Sequence, residues 1–319
     1  MTNEERVKYY MGKWYDKKIT VRKEDFSKSI DTSPICLVEK ATLMDSMVKK
    51  RGYKKTLNSY ITDGFYLAAL GDIRLEPRMI KRQTKSLEND LPIISKGSWA
   101  GEKRMGIILK LTHRRHWKTD CHVALAKGGD SLWDKKIDEV IWRGFATTIN
   151  HQKYSSKPLD EMDDSSSRTN FVRFYYKDYN IGFHRLKSGT HSSWEVLLKE
   201  SVSCEEQLKY KYIVSLEGND LASGLKWQLL SNSVVIMPPP TTISWAMEDT
   251  LIPYEHYVPL NPAGDNLVDA LEWCKQNDAT CQKIAKQSTD YMQQFEDEEN
   301  ERLIADSIIK RYNDNVTFI

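Results

Sequence analysis

The sequence predicts an α/β fold, and the clearest support lies between Lys209 and Pro259. This stretch begins with YKYIVSL, an apolar and β-branched run that is typical of a buried strand. A turn, EGND, precedes a helix that carries Leu225, Leu229 and Leu230 on one side. A second apolar run, SVVIM, predicts another buried strand, which three consecutive prolines end. Strand, helix and strand in this order predict a βαβ unit, in which ligands bind at the carboxyl ends of the strands.

The segment around residue 140 repeats the same design. EVIW predicts a buried strand, and Arg143 and Gly144 follow it directly as the start of a loop. The Arg143 guanidinium can donate two parallel hydrogen bonds to one anion, and Gly144 lets a ligand approach the backbone closely. Thr147 and Thr148 add hydroxyl groups in the same loop. This combination at a strand end suits a phosphate group, although an Arg-Gly pair alone has little specificity.

Buried strands are also predicted in the first part of the chain, at FYLAAL (65–70) and MGIILKL (105–111). FYLAAL ends at Gly71 and Asp72, so Asp72 lies where a strand gives way to a loop. A carboxylate in that position either faces a cleft or serves as a turn residue or helix cap, and the residues alone leave both interpretations open.

Two segments mix cations with aromatic residues. HRRHWK (113–118) has the ingredients of a nucleic-acid groove, but at six residues a solvated loop or an anion contact is favoured. FVRFYYKDYNIGFHRL (171–186) suits either the wall of a nucleotide or acceptor site or ordinary packing. The polar segment 149–170 predicts a surface loop that leads into a helix, with Arg168 and Arg173 near the helix start.

The remaining elements are helices that usually cover a sheet. Leu267, Ala270, Leu271 and Cys274 form one stripe at helical spacing, and a second stripe begins at Ile284. The segment that contains IADSIIKRY predicts a final helix. Ser223, at the start of the helix in the βαβ unit, is predicted to be its N-terminal cap.

The composition is that of a folded protein with room for two domains. The chain has 319 residues, of which 40% are hydrophobic, and a net charge of +2. Glycine and proline are too few for a fibrous or disordered protein. The charge balance neither favours nor excludes a polyanionic partner. The N-terminus is polar and has no apolar signal region, and no stretch reaches the length of a membrane span. We therefore expect a protein that acts in the cytoplasm.

The five cysteines are odd in number, irregular in spacing and without a CxxC pair. This pattern predicts free thiols in a reducing compartment. The seven histidines are scattered, so no metal site is expected. The sequence also lacks GxGxxG, GxxxxGK[ST], HExxH and GxSxG motifs and the DxD triplet that holds a metal–nucleotide pair.

Several motifs in order resemble glycosyltransferase family 90. The similarity is carried by DEVIWRGFATT, SSRTNF, LKYKYIVSLEGNDLASGLKWQLLSNSVVI and WAMEDTLIPYEHYVPL, and it covers roughly Trp133 to Ala285, about half of the chain. This CAP10-like family includes protein O-glucosyltransferases and lipopolysaccharide-modifying enzymes. The resemblance implies a GT-B-like architecture with two Rossmann-type lobes and a cleft between them. It also implies a UDP-sugar donor and an inverting reaction without an obligatory metal or other cofactor.

Site residues are carried over at the positions that match the family motifs. The donor-binding residues implied in this way are Arg143, Gly144, Thr147, Thr148, Arg168, Glu217, Gly218, Ser223 and Lys226. Glu217-Gly218 replaces the Asp-Gly of many members, so Glu217 either holds the ribose or only shapes the turn. Asp72 matches the family's aspartate base. It would take the proton of an acceptor hydroxyl, while the cations and helix N-terminal amides stabilise the departing UDP.

The resemblance implies an acceptor-side lobe at 1–132, with a C-terminal helix at about 290–319 packed back on it, and a donor lobe at 133–289. The expected partners are a UDP-sugar and a glycan or protein acceptor, with neither nucleic acid nor a membrane span. The absence of a signal sequence is typical of short cytosolic members from bacteria or large DNA viruses, and it favours xylose slightly over glucose as the donor sugar. The competing interpretations are an inactive member that binds a nucleotide or glycan, and a nucleic-acid binder that uses HRRHWK.

Overall fold

The computed structural model describes residues 1–26, 35–40, 51–70, 90–111, 129–146, 156–161, 167–218 and 220–319, together with Leu75, Ile80 and Leu125. The chain divides into two compact units. The first contains Met1–Arg114, Thr241–Asp249 and Phe295–Ile319, and the second contains Arg115–Pro240 and Thr250–Gln294. The functional division into an acceptor-side and a donor lobe stays a prediction.

The described helices and strands alternate along much of the chain. The helices are α1 (Asn3–Met11), α2 (Arg51–Tyr60), α3 (Ser167–Tyr175), α4 (Cys204–Gln207), α5 (Leu225–Leu229), α6 (Leu267–Gln276), α7 (Asp278–Gln293) and α8 (Glu298–Asn315). The strands are β1 (Ile19–Val21), β2 (Ile35–Glu39), β3 (Phe65–Ala69), β4 (Ile94–Ser95), β5 (Gly97–Trp99), β6 (Ile107–Ile108), β7 (Ile137–Phe145), β8 (Asn180–Arg185), β9 (Tyr210–Val214), β10 (Val234–Met237), β11 (Thr242–Ser244), β12 (Val258–Pro259) and β13 (Val316–Phe318). The predicted α/β class is confirmed.

The second unit is built on a parallel sheet with the strand order β12-β10-β9-β7-β8. The β-branched runs of β9 and β10 pair in parallel, with Ile213 opposite Val235, and α5 connects them. The predicted βαβ unit is therefore confirmed. Buried strands without polar alternation are typical of a parallel sheet that is covered on both faces.

The predicted helical stripe forms part of the cover of this sheet. Leu267, Ala270, Leu271 and Cys274 of α6 are all buried, as the spacing predicts. Together with Ile284 of α7 they pack into one core with the buried residues of β7, β8 and β9. The sheet and the helices thus form a continuous core, which fixes the strand ends relative to one another.

The first unit contains a four-stranded sheet with the order β2-β3-β4-β6. β2 and β3 are antiparallel, whereas β3–β4 and β4–β6 are parallel. The two predicted strands are present as β3 and β6. Helix α8 packs on β3 through Tyr312. The Tyr312 hydroxyl accepts a hydrogen bond of 2.9 Å from the Leu67 amide, and the Tyr312 ring stacks on Tyr66. Two short pairs, β1–β13 and β5–β11, complete the described strands of this unit.

A buried ionic cluster joins distant chain segments within the first unit. Glu301 of α8 pairs with Arg6 of α1 at 2.5 Å and with Lys110 at 3.2 Å, and all three side chains are buried. Lys110 also donates to the Phe295 carbonyl at 2.8 Å. Burial lowers the pKa of Lys110 to about 8, although the Glu301 carboxylate opposes the shift. Glu301 is therefore the shared counter-ion of two buried cations.

Two local predictions in the second unit are wrong. Arg143 and Gly144 belong to β7 rather than to a loop, because β8 supplies a partner strand in which Gly182 and Phe183 lie opposite them. Ser223 is not the helix cap. The N-cap of α5 is Gly224, and it makes no side-chain cap hydrogen bond.

The prediction of five free thiols is also wrong, because Cys204 is disulfide-bonded. Cys36, Cys274 and Cys281 are free and buried. Spacing along the chain does not reveal which side chains come close enough in space to form a disulfide. In the described ranges, no helix has both the length and the apolar character that crossing a membrane requires.

Candidate active site

The carboxyl edge of the second unit's sheet collects several of the predicted site residues. β7 ends at Phe145, β8 at Arg185 and β9 at Val214. Because these strands are parallel neighbours, their carboxyl ends meet at one edge of the sheet. The loop after β9 carries Glu217 and Gly218 to this edge.

Arg168 ties two of these strand ends together. It is the second residue of α3, which is anchored in the core by Phe171 and Val172. Its Nη1 donates to the Phe145 carbonyl at 3.1 Å and its Nη2 to the Leu216 carbonyl at 2.6 Å. The guanidinium thus bridges the end of β7 and the loop after β9.

The surroundings of Arg168 combine burial with nearby carboxylates. Burial lowers the pKa of Arg168 to about 10, whereas the negative charges of Asp220 and Glu217 act in the opposite direction. A Cβ atom added to Gly218 would lie 3.0 Å from Nη1 of Arg168. The small residue at 218 therefore gives the guanidinium its space. Of the predicted residues, the structure brings Arg168, Glu217 and Gly218 together.

The Arg143 side chain donates hydrogen bonds to main-chain carbonyls and to one side-chain oxygen. Its Nε donates to the Glu200 carbonyl at 2.9 Å, and its Nη1 donates to the Asn180 carbonyl at 2.8 Å and to the Trp142 carbonyl at 2.9 Å. Its Nη2 donates to the Asn180 Oδ1 at 2.5 Å. These bonds fasten the start of β8 to the end of β7, and each nitrogen of the guanidinium has a partner.

Glycine is required at position 144 because of the packing around it, and not only because a ligand would approach the backbone there. A Cβ atom at this position would lie 2.4 Å from Cζ2 of Trp142. The Trp142 indole is buried and packs edge-on against Phe183, with ring centroids 5.7 Å apart. The indole therefore has little room to move away from a larger residue.

Replacing Gly144 with alanine should lower the free energy of unfolding by about 1–3 kcal/mol, the usual cost of overpacking a core. Urea unfolding measures this difference. Gly224→Ala is the matched control, since its added methyl group meets first the end of the Gln228 side chain at 3.1 Å. Equal stability of Gly144→Ala and the wild type would contradict the packing role.

The other predicted residues have different settings. Lys226 is buried within α5, which is only five residues long, and Ser223 lies just before the N-cap of that helix. Asp72, Thr147 and Thr148 lie outside the described residues, so their roles stay predictions. Among the described residues, no cluster of three or more His, Cys, Asp or Glu side chains could hold a metal ion.

Two residues at the same edge were not predicted individually. His184 and Arg185 end β8, beside the end of β7. Their segment, FVRFYYKDYNIGFHRL, is open to interpretation as a site wall or as packing from its sequence alone. The sequence could have favoured a site wall over packing through the position of His184 and Arg185, because they lie at the end of a strand rather than inside it.

Comparison with known proteins agrees with these features. Residues 110–312 match the family model described as Glycosyl transferase family 90. The O-glucosyltransferase LpsA of Dichelobacter nodosus is 37% identical over 179 residues, which cover 56% of this chain and 50% of that protein. Protein 027R of Frog virus 3 is 38% identical over 49% of this chain and 18% of its own length.

A vertebrate relative shows a weaker similarity. Protein O-glucosyltransferase 2 of Danio rerio is 26% identical over 48% of this chain and 28% of that protein. The chain spans half or less of the length of each of these three relatives. The residues that match the family model include all five strands of the parallel sheet.

Proposed function

Since this chain belongs to glycosyltransferase family 90, we propose that it transfers a sugar from a UDP-sugar to a hydroxyl group of a glycan or protein acceptor. The finer parts of this proposal are an inverting reaction, independence of metal ions and a donor sugar that is either xylose or glucose. The O-glucosyltransferase names of two relatives favour glucose as the first donor to test. The slight preference for xylose comes from the resemblance to short cytosolic members.

The observation that supports the proposal most directly is the Arg168 bridge. A departing UDP carries negative charge on its diphosphate, and fixed cations at the site lower the energy of that charge as it develops. Arg168 is held at the carboxyl edge of a parallel sheet, where open α/β folds bind their ligands. Its two carbonyl partners fix the position of the positive charge before the ligand arrives.

The second catalytic requirement is a base for the acceptor hydroxyl. We assign this role to Asp72 on the family resemblance alone. In an inverting reaction the deprotonated oxygen attacks the anomeric carbon as the bond to UDP breaks, so the base and the diphosphate cations act on opposite sides of the sugar. The proposed architecture is GT-B-like, with an acceptor-side lobe at 1–132 and a donor lobe at 133–289.

Titration calorimetry with UDP and with a short RNA tests the class of function. The glycosyltransferase proposal expects UDP binding and hydrolysis of at least one member of a panel of UDP-sugars. UDP binding without turnover of any donor and acceptor pair would favour an inactive family member. RNA binding with a steep salt dependence and no UDP binding would favour the nucleic-acid alternative.

Replacing Arg168 with glutamine should weaken UDP binding about 10- to 100-fold, because hydrogen bonds that involve a charged group contribute about 1.5–3 kcal/mol. The exposed Lys177, just after the same helix, offers the control Lys177→Gln. Calorimetry measures the affinity and circular dichroism checks the fold. Unchanged UDP affinity of a folded Arg168→Gln protein would remove Arg168 from the donor site.

We place the reaction in the cytoplasm, which is the host cytoplasm for a viral protein. The three buried free cysteines suit a reducing compartment, whereas the Cys204 disulfide is more typical of an oxidising one. Alkylation of thiols in intact cells, followed by mass spectrometry, tests the location. Cytoplasmic protein should react at Cys36, Cys274 and Cys281 once it is unfolded, and oxidation of these three thiols in the cell would contradict the assignment.

A further inference from the structure

Three residues at the carboxyl edge of the sheet form a small cluster that the proposed reaction does not use. Phe145 ends β7, and His184 and Arg185 end β8. Phe145 lies opposite Arg185 in the register, just after the irregularity that follows Gly144. We call these three residues the strand-end cluster.

The contacts within the strand-end cluster position the Arg185 side chain. Its guanidinium carbon lies over the Phe145 ring, 5.5 Å from the centroid. The His184 ring lies on the same phenylalanine, with centroids 6.2 Å apart and an angle of 38° between the planes. A cation–π contact of this kind engages the positive charge of the guanidinium and uses none of its N–H donors, so the donors stay available to a ligand.

Arg185 differs from the two predicted arginines in what its donors contact. The donors of Arg143 go to the carbonyls of Glu200, Asn180 and Trp142 and to Oδ1 of Asn180. Those of Arg168 go to the carbonyls of Phe145 and Leu216. The Arg185 side chain is exposed, and within the described chain no carboxylate forms a salt bridge with it. Its fork can therefore bind an anion without giving up a structural bond.

The charged side chains that act on His184 are cations, whereas the carboxylates of Asp220 and Glu217 act on Arg168. Burial, and then the neighbouring Arg185, Arg143 and Arg168, lower the pKa of His184, and a hydrogen bond with the Gly144 backbone opposes the shift. The imidazole is therefore less readily protonated than a free histidine side chain. It contributes ring surface and a link to Gly144, while the positive charge of the cluster comes from Arg185.

We propose that Arg185, held by Phe145, donates two hydrogen bonds to phosphate oxygens of the nucleoside diphosphate in the same site that Arg168 supports. This inference rests on the proposed function, because it names the group that contacts the diphosphate of the UDP-sugar. Arg143 then has a mainly structural role, fastening β7 to β8. Arg185 is a ligand-binding residue and Phe145 a positioning residue.

The test compares UDP binding by the full chain and its Arg185→Gln variant. We expect Arg185→Gln to weaken UDP binding at least 10-fold, since a charge-assisted bidentate contact is lost. The urea midpoint should not change, because the side chain is exposed. Arg185→Lys should restore part of the affinity, since it keeps the charge and loses the fork. Phe145→Leu should weaken binding less than Arg185→Gln.

The matched control is Arg302→Gln. This exposed arginine lies on α8 in the first unit and pairs with Asp306 on the surface. The control should bind UDP within about twofold of the wild type. An equal loss of affinity in Arg302→Gln and Arg185→Gln would overturn the inference. So would a loss that is as large for uridine, which has no phosphate, as for UDP.

The two proposals fail in different ways. If the wild-type chain binds UDP and Arg185→Gln binds it equally well, the inference about Arg185 is wrong and the proposed function stands. If the wild-type chain does not bind UDP, the proposed function itself fails. A selective loss of UDP affinity in Arg185→Gln, with the urea midpoint unchanged, supports both.

Discussion

Replacing Asp72 with asparagine should lower the rate of sugar transfer by about 10²- to 10⁴-fold, which is the usual contribution of a general base. The asparagine keeps the size of the side chain but cannot accept the proton of the acceptor hydroxyl. UDP affinity should stay at the wild-type value, because the proposed diphosphate contacts lie on other residues. Initial rates with saturating donor and acceptor, set beside UDP calorimetry, measure the two quantities separately.

The control for this variant is Asp63→Asn. Asp63 is exposed and precedes β3, the strand that leads towards Asp72. Its replacement should leave both transfer and UDP binding unchanged. Full activity of Asp72→Asn would assign the base to another residue. A parallel loss of UDP affinity and of transfer would show that Asp72 acts on the donor side.

Replacing Glu301 with glutamine should cost about 3–5 kcal/mol of the free energy of unfolding, the range for breaking a buried ion pair. The variant leaves Arg6 and Lys110 buried without their shared carboxylate. Lys110 can lose its proton more readily than usual, because burial already lowers its pKa to about 8. Arg6 keeps its charge at any accessible pH, so most of the cost falls on that residue.

Denaturant unfolding followed by circular dichroism measures the effect of Glu301→Gln. Glu299→Gln is the matched control, since Glu299 is exposed on the same helix, and its change should stay within about 0.5 kcal/mol. Lys110→Met should cost less than Glu301→Gln, because Arg6 still neutralises the carboxylate. Equal stabilities of Glu301→Gln and Glu299→Gln would mean that the buried cations find other partners.

The elements that the sequence predicts well are those whose signal is local. The runs of consecutive apolar residues in β9 and β10 are too long for a solvent-exposed loop, and the apolar residues of α6 recur at helical spacing. Both patterns could therefore be recognised without tertiary information. Strand β7 continues through Gly144 because β8 pairs with it, and the paired residues are far apart along the chain. The disulfide of Cys204 depends in the same way on proximity in space.

In the candidate site, too, some features follow from the local sequence and others depend on contacts between distant parts of the chain. Motif order places Arg168 and Gly218 in one family site, and the structure brings them into contact. Sequence cannot show which oxygen atoms a guanidinium meets. Asn180 and Glu200 take up the donors of Arg143, although they are far from it along the chain. The position of Arg185 opposite Phe145 likewise depends on the pairing of β8 with β7.

The first unit is assembled from three separate segments of the chain, and this has a consequence for biosynthesis. Helix α8, which carries Glu301 and Tyr312, leaves the ribosome long after the strands and cations that it contacts. At 5–20 residues per second, the delay between Arg114 and Phe295 is on the order of 10–40 s. During that interval Tyr66 and Leu67 of β3 lack the contact with Tyr312, so the core of the first unit can be completed only after α8 has been synthesised.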